Sequence, residues 1–371
     1  MDGDRIDWKL YKEIKAGWDR VAKPIDGMGR FEDFLSRIGA IQGTKLPKLA
    51  KSRVIVCCAD NGIVEEGVSQ CGQEVTAVCA ENIGGGKSSV AIMAKQAGVD
   101  ILCVDVGINT DRELSNVRNE KLRKGSRNFR KEPAMTVEEI EKAVNLGLKL
   151  VQESKEEGYE ILGIGEMGIG NTTTSSAVTA AILGLSPEMV TGRGAGLDDK
   201  GYQHKKEIIR EALLRNGYQT EIGEVQETVE KVGIELGERE KNLLPSGQAA
   251  LEVLGKMGGY DLACMAGICM GGFKYHVPIV LDGFISLVAA LIACRVVPET
   301  KEYLIPSHSG KEPAMKAIEK ELGLKPVLYA DMALGEGTGA VLMLQLLKTA
   351  NAVYEQSCSF ENAGIEQYQR Y

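Results

Sequence analysis

Residues 159–174 read YEILGIGEMGIGNTTT, and this stretch decides the fold. Its first residues have the apolar pattern of a buried strand, which we expect over 159–164. Four glycines then predict a turn, after which Asn171 and the threonines are expected to cap an apolar helix over 175–185. A strand, a glycine-rich turn and a helix N-terminus together predict an anion site, because backbone N–H groups can approach a phosphate there and the helix dipole favours negative charge.

Two glutamates stand in glycine-rich surroundings, and each has a functional and a non-functional interpretation. Glu166 lies in the middle of the predicted turn, where a carboxylate repels a phosphate, so we expect it to face another part of the ligand. Its alternative is an exposed glutamate on a tight β–α turn. Glu336 lies between two glycines at a helix start. It is either a general base or an acidic residue that the helix dipole stabilises.

Two glycine patterns resemble nucleotide-binding motifs but lack the required partners. Residues 163–168 match a dinucleotide fingerprint, which needs an acidic residue at the end of a second strand about twenty residues further on. Glu188 has that distance but follows Ser-Pro in a loop-like segment. Residues 84–88, GGGKS, end like a P-loop, but Glu81 occupies the position of its first glycine. The sequence therefore disfavours a bound dinucleotide or nucleoside triphosphate.

Length and composition limit the number of domains and the kinds of partner that we expect. A chain of 371 residues suggests about two domains, and a net charge of −8 without a basic run makes nucleic acid and acidic membranes poor partners. Residues 1–10 are charged throughout, so we expect no signal peptide. The most apolar run, 277–297, is interrupted by Asp282 and Arg295 and reads as a strand and a core helix rather than a membrane span.

The nine cysteines contain no C-x-x-C pair, and several lie in apolar stretches. We interpret them as reduced thiols of a cytoplasmic protein. No cluster has metal-ligand spacing, so no metal or other cofactor is expected. With only three histidines in the chain, acid–base chemistry is expected to fall to carboxylates.

Strands and helices alternate along the chain with short connections. Strands are predicted at 53–59, 101–106, 159–164, 277–281 and 303–307. Helices are predicted at 7–20, 30–42, 75–97 (interrupted at 84–86), 136–156, 175–185, 200–215, 226–239, 249–256, 261–270, 283–294, 313–322 and 340–349. This order predicts an α/β fold with a mostly parallel sheet flanked by helices, a Rossmann-like large domain over 47–345. The terminal segments, 1–46 and 346–371, are predicted to form a small helical domain from both chain ends.

The unusual loops all follow a predicted strand or precede a predicted helix. They are residues 60–67, 165–171, 192–199, 307–312 and 335–339. Because ligands of open α/β sheets bind beyond the carboxyl ends of the strands, we expect these loops to converge on one ligand. Several glycine-rich turns on one rim indicate a ligand held by backbone amides, and a sugar phosphate fits that description.

Nine short segments occur in one order over nearly the whole chain. They are EGVS (66–69), QEVTA (73–77), VDVGI (104–108), GEMGIGNTTT (165–174), GRGAGLDD (192–199), MAGICMGG (265–272), VLDGFIS (280–286), SHSGKEP (307–313) and LGEGTGA (334–340). In these segments the chain closely resembles the nicotinate-nucleotide–dimethylbenzimidazole phosphoribosyltransferase family. The resemblance implies a large α/β domain with a small three-helix domain, usually as a dimer.

The resemblance also implies a reaction. Phosphoribosyl passes from nicotinate mononucleotide to an aromatic acceptor, with inversion from β to α, in the assembly of the cobamide nucleotide loop. The pyridinium is already a cationic leaving group, so no metal is needed to activate it. By the same resemblance Glu336 is the catalytic base, and Glu166 is the second acid, near the ribose and the departing nicotinate.

Binding residues are implied in the same way. The phosphate and ribose contacts are Gly168, Ile169, Gly170, Asn171, Thr172, Gly192, Arg193, Gly194, Ser307, Ser309 and Gly337. The acceptor pocket comprises Ser69, Gln70, Cys71 and Val78.

The chain departs from the family pattern in the acceptor pocket. Family members commonly have Tyr and Gln where this chain has Cys71 and Val78, and their Asp-His-Gly triplet is Asp60-Asn61-Gly62 here. Their first turn, Lys-Pro-Pro-Gly-Ser-Leu-Gly, is KPIDGMG at 23–29. Loss of an aromatic wall and an amide predicts a change of acceptor, so phenol, p-cresol or a purine joins benzimidazole as a candidate. Relatives that use phenolics are heterodimers, so the expected partner is a second copy or a paralogous subunit.

Two other classes of function stay open at this point. One is a nucleotide-binding regulatory or silent subunit of a heterodimer, which the presence of both Glu166 and Glu336 disfavours. The other is a dinucleotide-dependent oxidoreductase, which the missing second-strand acid disfavours.

Overall fold

The structure is a computed structural model that describes residues 6–218 and 245–370. The helix predicted over 226–239 lies outside the described residues. Within them six strands form one sheet in the order β3-β2-β1-β4-β5-β6, and every neighbouring pair is parallel. The strands are β1 (Ser52–Ala59), β2 (Asp100–Gly107), β3 (Arg118–Asn119), β4 (Ile161–Met167), β5 (Ile279–Leu281) and β6 (Leu304–Pro306).

The predicted α/β fold with a parallel sheet is therefore confirmed, and the two-residue β3 was missed. The strand order is that of a doubly wound sheet, in which the chain turns from one half to the other between β1 and β4. Beyond the carboxyl ends of these two strands the following loops diverge to opposite sides. A crevice at this switch point is where such sheets bind ligands.

Helices cover both faces of the sheet. They are α1 (Trp8–Arg20), α2 (Arg30–Gln42), α3 (Glu74–Gly84), α4 (Ser89–Ala97), α5 (Val137–Glu156), α6 (Asn171–Leu183), α7 (Pro187–Val190), α8 (Asp199–Arg215), α9 (Pro245–Met257), α10 (Tyr260–Tyr275), α11 (Phe284–Val296), α12 (Met315–Leu322), α13 (Thr338–Gln356) and α14 (Phe360–Ala363). The GGGKS stretch at 84–88 ends α3 and caps α4.

The central strand β1 shows why the sheet is buried on both sides. Ile55 and Cys57 belong to one apolar cluster, which includes α5, α10 and α11. Val54 and Val56 belong to the other, which includes α3, α4 and α13. Apolar residues at consecutive positions are typical of a parallel strand with helices on both faces.

Our sequence-based boundaries around β4 were wrong. The strand continues to Met167, so Gly163 and Gly165 pair in register with β1 instead of forming the turn, and Glu166 belongs to the strand end. Asn171 is the first residue of α6 and not its cap, which is Gly170. The reason is packing: the glycines in the strand leave room for α13 and the loop before it, and Thr173 and Thr174, which resemble caps, are buried in the first turn of α6.

The two ends of the described chain pack together. The Trp18 ring lies 4.6 Å from the Tyr354 ring, and an isolated antiparallel bridge joins Val21 to Ser359. The predicted helix 340–349 is longer at both ends, since α13 begins on the sheet and extends to these terminal helices. The division into two domains stays a prediction. Among the described residues, no helix has the length and apolarity that a membrane crossing requires.

Candidate active site

A cavity of about 290 Å³ opens beyond the carboxyl ends of β4 and β5. This volume is near the lower end of the usual range for small-molecule pockets, which is about 300–1,000 Å³. Its walls come from residues 68–70, 166–172, 193–195, 282–286, 310–312 and 332–336, together with Leu197, His308 and Met315. Four of the five loops expected to converge do so. The loop 60–67 contributes only through the residues after it, and the segment after β5 was not anticipated.

The loop before α13 holds Glu336 in an uncommon backbone conformation. Glu336 has φ +61°, and its neighbours Gly335 and Gly337 have φ +83° and +93°. A left-handed conformation is costly for a residue with a side chain, and it persists where the surroundings enforce it. Gly165 contributes to that enforcement, because a Cβ there would lie 2.6 Å from the Glu336 carbonyl carbon. The glycine in β4 therefore lets the loop rest on the strand.

Asp282 fixes the same loop from the other side. Its carboxylate accepts the backbone N–H groups of Gly337 at 3.0 Å and Gly339 at 2.7 Å, at the first turn of α13. Burial raises the pKa of Asp282, and His308 opposes that rise. Ser307 donates its hydroxyl to the Asp282 carbonyl at 2.9 Å and lies 3.0 Å from His308 Nδ1. Together these contacts fix where the Glu336 carboxyl lies.

The Glu336 carboxyl has the properties of a proton acceptor. Burial raises its pKa, Asp282 raises it further, and the Val90 backbone N–H partly opposes the rise. Its Oε2 is buried and has no hydrogen-bond partner among the described residues. A free carboxyl oxygen on a group of raised pKa suits general-base chemistry near neutral pH.

Glu166 lies at the other side of this carboxyl-rich end. The Asn171 amide donates to Glu166 Oε2 and, at 3.2 Å, to Asp261 Oδ2. Burial raises the pKa of Glu166 to about 8, and the Asp261 charge adds to that rise. Glu166 is therefore mainly neutral at pH 7, so it does not repel an anionic ligand as its position in the sequence suggested.

A buried lysine lies behind the wall at the opposite end of the cavity. Lys205 on α8 is fully buried, and its Nζ donates to Thr172 Oγ1 at 2.9 Å. Burial lowers its pKa to about 8, and Glu312 opposes that fall. A Cβ at Gly194 would lie 3.5 Å from Lys205 Nζ, so the loop 192–197 passes directly over the ammonium group.

Glu312 explains a second glycine of that loop, Gly192. Burial raises the pKa of Glu312, and Lys205 opposes the rise. The Glu312 carboxyl occupies the space that a side chain at Gly192 would need. Arg193 lines the cavity but is held outward, because its guanidinium donates to Leu197 O at 2.9 Å and to Asp199 at 2.5 Å.

The cavity mouth is crossed by a hydrogen bond from Gln70 Nε2 to the Gly196 carbonyl. Cys71 follows, and its backbone N–H donates to Ser69 Oγ at 3.4 Å. Cys79 on α3 lies near Glu336, because burial and then the charge of Glu336 raise the pKa of its thiol. The α3 side of the mouth therefore borders the carboxyl end of the cavity.

Most of the site residues predicted from the sequence line this cavity. They are Ser69, Gln70, Glu166, Gly168, Ile169, Gly170, Asn171, Thr172, Arg193, Gly194 and Glu336. Six others do not line it: Gly192, Ser307, Ser309, Gly337, Cys71 and Val78. Of these, Val78 is 53% exposed on α3. Within residues 6–218 and 245–370, no group of three His, Cys, Asp or Glu side chains is placed to hold a metal ion.

Sequence reasoning missed four residues of this region: Lys205, Glu312, Asp261 and Asp282. Lys205 had a detectable signal, because it precedes Ile208 and Ile209 by three and four positions and so lies on the apolar face of a charged helix. The two aspartates also interrupt apolar runs, one at the start of α10 and one directly after β5. A charged residue in an apolar register indicates a buried polar contact.

The fold and the cavity define an α/β protein with a pocket beyond the carboxyl ends of β4 and β5 in a doubly wound sheet. A family model described as phosphoribosyltransferase matches residues 4–238 and 234–365. The chain belongs to this phosphoribosyltransferase family.

Its relatives make the likeness more specific. The nicotinate-nucleotide–dimethylbenzimidazole phosphoribosyltransferase of Acetivibrio thermocellus is 38% identical over 97% of this chain and 96% of its own length. The enzyme of that name from Clostridium acetobutylicum is 38% identical over 98% and 96%. The crystal structure of CobT from Thermus thermophilus superposes with a TM-score of 0.84 at 33% identity, covering 97% of this chain and 100% of that chain.

Proposed function

We propose that this protein transfers phosphoribosyl from nicotinate mononucleotide to an aromatic acceptor, in the assembly of the nucleotide loop of a cobamide. The observation that carries the proposal is a cavity with carboxyls at one end and, at the other, Thr172, whose hydroxyl accepts a hydrogen bond from the buried Lys205 behind the wall. The names of the relatives supply the donor and the acceptor class.

The donor phosphate belongs at the Lys205 end. The ammonium group, the Thr172 hydroxyl and the backbone at Gly194 lie together there. The N–H groups at the start of α6 add a positive helix end, so a phosphate gains both hydrogen bonds and favourable charge. This placement directs the ribose and the nicotinate toward Glu166 and Glu336.

In the reaction, the bond between the anomeric carbon and the pyridinium nitrogen breaks, and that nitrogen keeps the electron pair. A nitrogen or oxygen of the acceptor bonds to the anomeric carbon from the opposite face, so the β linkage becomes α. The acceptor loses one proton, which Glu336 takes. The products are an α-riboside phosphate and nicotinate.

The acceptor is proposed to enter on the α3 side. Cys79 places α3 beside Glu336, Cys71 lies near Cys79, and Val78 is exposed on α3 next to Cys79. With Cys and Val in place of an aromatic ring and an amide, this approach favours a small single-ring acceptor. Phenol or p-cresol is therefore proposed beside benzimidazole, with a purine as a further candidate.

The partner of the chain and its compartment are also proposals. The chain acts as a homodimer or as a heterodimer with a paralogous subunit, and the small helical domain comprises 1–46 and 346–371. Its nine free cysteines favour the cytoplasm.

The alternative function is a silent or regulatory nucleotide-binding subunit. The enforced conformation of Glu336 disfavours it, because backbone strain has no function in a silent subunit.

The test is incubation of the protein with nicotinate mononucleotide and a panel of benzimidazole, dimethylbenzimidazole, phenol, p-cresol and adenine. Nicotinate release that depends on an acceptor, with the α-riboside phosphate identified as product, is expected. Glu336→Gln is the matched control, because it keeps the shape of the side chain. Donor binding without turnover for every acceptor, with any paralogous subunit supplied, would favour the silent subunit.

A further inference from the structure

Asp261 is a buried carboxyl group to which the proposed transfer gives no role. It lies at the start of α10, fully buried beneath the turn between β4 and α6. A Cβ at Gly168 would lie 2.9 Å from Asp261 Oδ2, so the turn rests directly on the carboxyl group. Asp261 Oδ1 accepts the backbone N–H of Leu262 at 2.9 Å. The carboxyl group thus supports the part of the cavity wall that carries Asn171.

One amide joins Asp261 to Glu166. Asn171 Nδ2 donates to Glu166 Oε2 and, at 3.2 Å, to Asp261 Oδ2. A side-chain amide nitrogen carries two hydrogens, so it can serve both carboxyls at once. If the amide were flipped, Asn171 Oδ1 would face Glu166 Oε2 and Asp261 Oδ2, and neither hydrogen bond could form. Asp261 therefore determines which end of the Asn171 amide faces Glu166.

The carboxyl groups at this end of the cavity differ in how many hydrogen bonds compensate their negative charge. Four carboxyl groups lie close together: Glu166, Asp261, Asp282 and Glu336. Asp282 accepts two backbone N–H groups, and Asp261 accepts one backbone N–H and the Asn171 amide. Glu166 shares that amide, and no salt bridge reaches it within the described part of the chain. Like charges in one site cannot all ionise, so at least one of the four carboxyls retains a proton, and a pKa raised to about 8 identifies Glu166 as such a group.

We propose that Asp261 is a positioning residue for the transfer, which orients Glu166 through Asn171 and, by its own negative charge, keeps Glu166 protonated beside the anionic donor. The inference rests on the proposed function. In the bound complex a neutral Glu166 tolerates the nicotinate carboxylate at this end of the cavity, and an ionised Glu166 repels that carboxylate from its reactive position. The charged groups that face Glu166 are Asp261 from α10, Asp282 after β5 and Glu336 before α13.

The test is the pH dependence of kcat at saturating donor, which reports groups in the bound complex. In the wild type kcat falls on the alkaline side as Glu166 ionises. Asp261→Asn removes a neighbouring negative charge, so Glu166 loses its proton more easily and the alkaline limb moves to lower pH by about one unit or more. A purely structural role would instead lower kcat at every pH and leave the limb in place.

Asp105→Asn is the matched control. Asp105 is a buried carboxyl in β2 that accepts the Ile108 N–H at 2.8 Å and pairs with Lys121, away from the cavity wall. Its loss removes a buried charge of the same kind, and the alkaline limb of kcat is expected to stay at its wild-type position.

If Asp261→Asn does not fold, a second variant tests the proposal. Asn171→Asp replaces the donor amide by another carboxyl, so Glu166 holds its proton more strongly and the alkaline limb moves to higher pH. An unmoved limb in folded Asp261→Asn overturns the proposal, and so does a downward shift in Asn171→Asp.

An infrared titration of the protein without substrate separates this inference from the proposed function. The wild type is expected to show a neutral carboxyl band at pH 7 that Glu166→Gln abolishes. In Asp261→Asn that band should disappear at lower pH. Its absence from the wild type refutes the inference whether or not the protein turns over a substrate, whereas its presence with no turnover refutes only the function.

Discussion

The two ends of the cavity are built in opposite ways. At the carboxyl end, acidic groups crowd together, and backbone N–H groups, one amide and glycine-framed loops hold them in place. At the other end a single lysine is buried with a hydroxyl, and glycines bring the backbone close to it. Burial acts on both ends, raising the pKa of Glu166 to about 8 and lowering that of Lys205 to about 8.

This difference separates chemistry from binding. On the proposed function, the carboxyl end holds the base, so its residues are expected to affect the rate of the transfer step. On the proposed function, the positive charge of Lys205, which already donates to Thr172 and faces Glu312, is expected to affect affinity for the donor. Variants at the two ends are therefore expected to alter kcat and KM separately.

The largest effect is expected from Glu336→Gln. Removing a general base lowers kcat by about 10²–10⁴, because the acceptor proton then has no group to receive it. The KM for nicotinate mononucleotide should change little, since the lysine end is untouched. Steady-state kinetics with a saturating acceptor measures both constants. A near-normal kcat in Glu336→Gln would show that Glu336 is not the general base.

Lys205→Met should act on the donor. A hydrogen bond to a charged group contributes about 1.5–3 kcal/mol, so the KM for nicotinate mononucleotide rises by roughly 10- to 100-fold while kcat falls much less. Nicotinate riboside, which lacks the phosphate, is the control substrate and should lose little. Equal losses for both substrates would contradict a phosphate contact.

The same lysine predicts a pH effect in the wild type. Its pKa is lowered to about 8, so the positive charge is present below that pH and is lost above it. The KM for nicotinate mononucleotide should therefore rise above about pH 8, and Lys205→Met should abolish that dependence. A KM that stays constant from pH 7 to 9.5 would show that the ammonium group does not hold the donor.

Cys71→Tyr with Val78→Gln tests the approach beyond the carboxyl end. A ring contact contributes about 0.5–1.5 kcal/mol beyond its buried area and a hydrogen bond a similar amount, so preference for dimethylbenzimidazole over phenol should rise about ten- to hundredfold. The measurement is kcat/KM for both acceptors in wild type and double variant. Failure of the wild type to use phenol or p-cresol, with any paralogous subunit present, would end the phenolic proposal.

The smallest effect on activity is expected from Arg370→Ala, which touches neither end. Arg370 binds Asp19 at 2.8 Å and Asp26 at 2.7 Å, and its hydrogen bond lowers the pKa of Asp26 to about 2. A lowered carboxyl pKa stabilises the fold above the ordinary aspartate range, and the gain is lost as pH falls toward 2. Thermal melts should show a slightly lower Tm at pH 7 that converges with the wild type in acid, with kcat and KM unchanged.

The sequence predicted what depends on local pattern. Alternating apolar runs indicated the parallel sheet, and glycine-rich loops indicated the rim on which Glu166 and Glu336 meet. It could not predict groups whose role depends on distant partners. Lys205 comes near Thr172 only after α8 packs against α6, and Asp261 meets Asn171 across about ninety residues of chain. Gly165 was misread as a turn residue because the loop that requires its bare backbone comes from the far end of the sheet.

The contact between the chain ends has a consequence for synthesis. Trp18 is fully buried, and the ring that packs on it, Tyr354, emerges from the ribosome only when nearly all of the described chain has been made. Part of the apolar surface of helices α1 and α2 therefore stays exposed to solvent during translation, because N-terminal segments leave the ribosome first. Nascent chains stalled before residue 338 should consequently recruit chaperones at this N-terminal helix pair, and release should follow the emergence of α13.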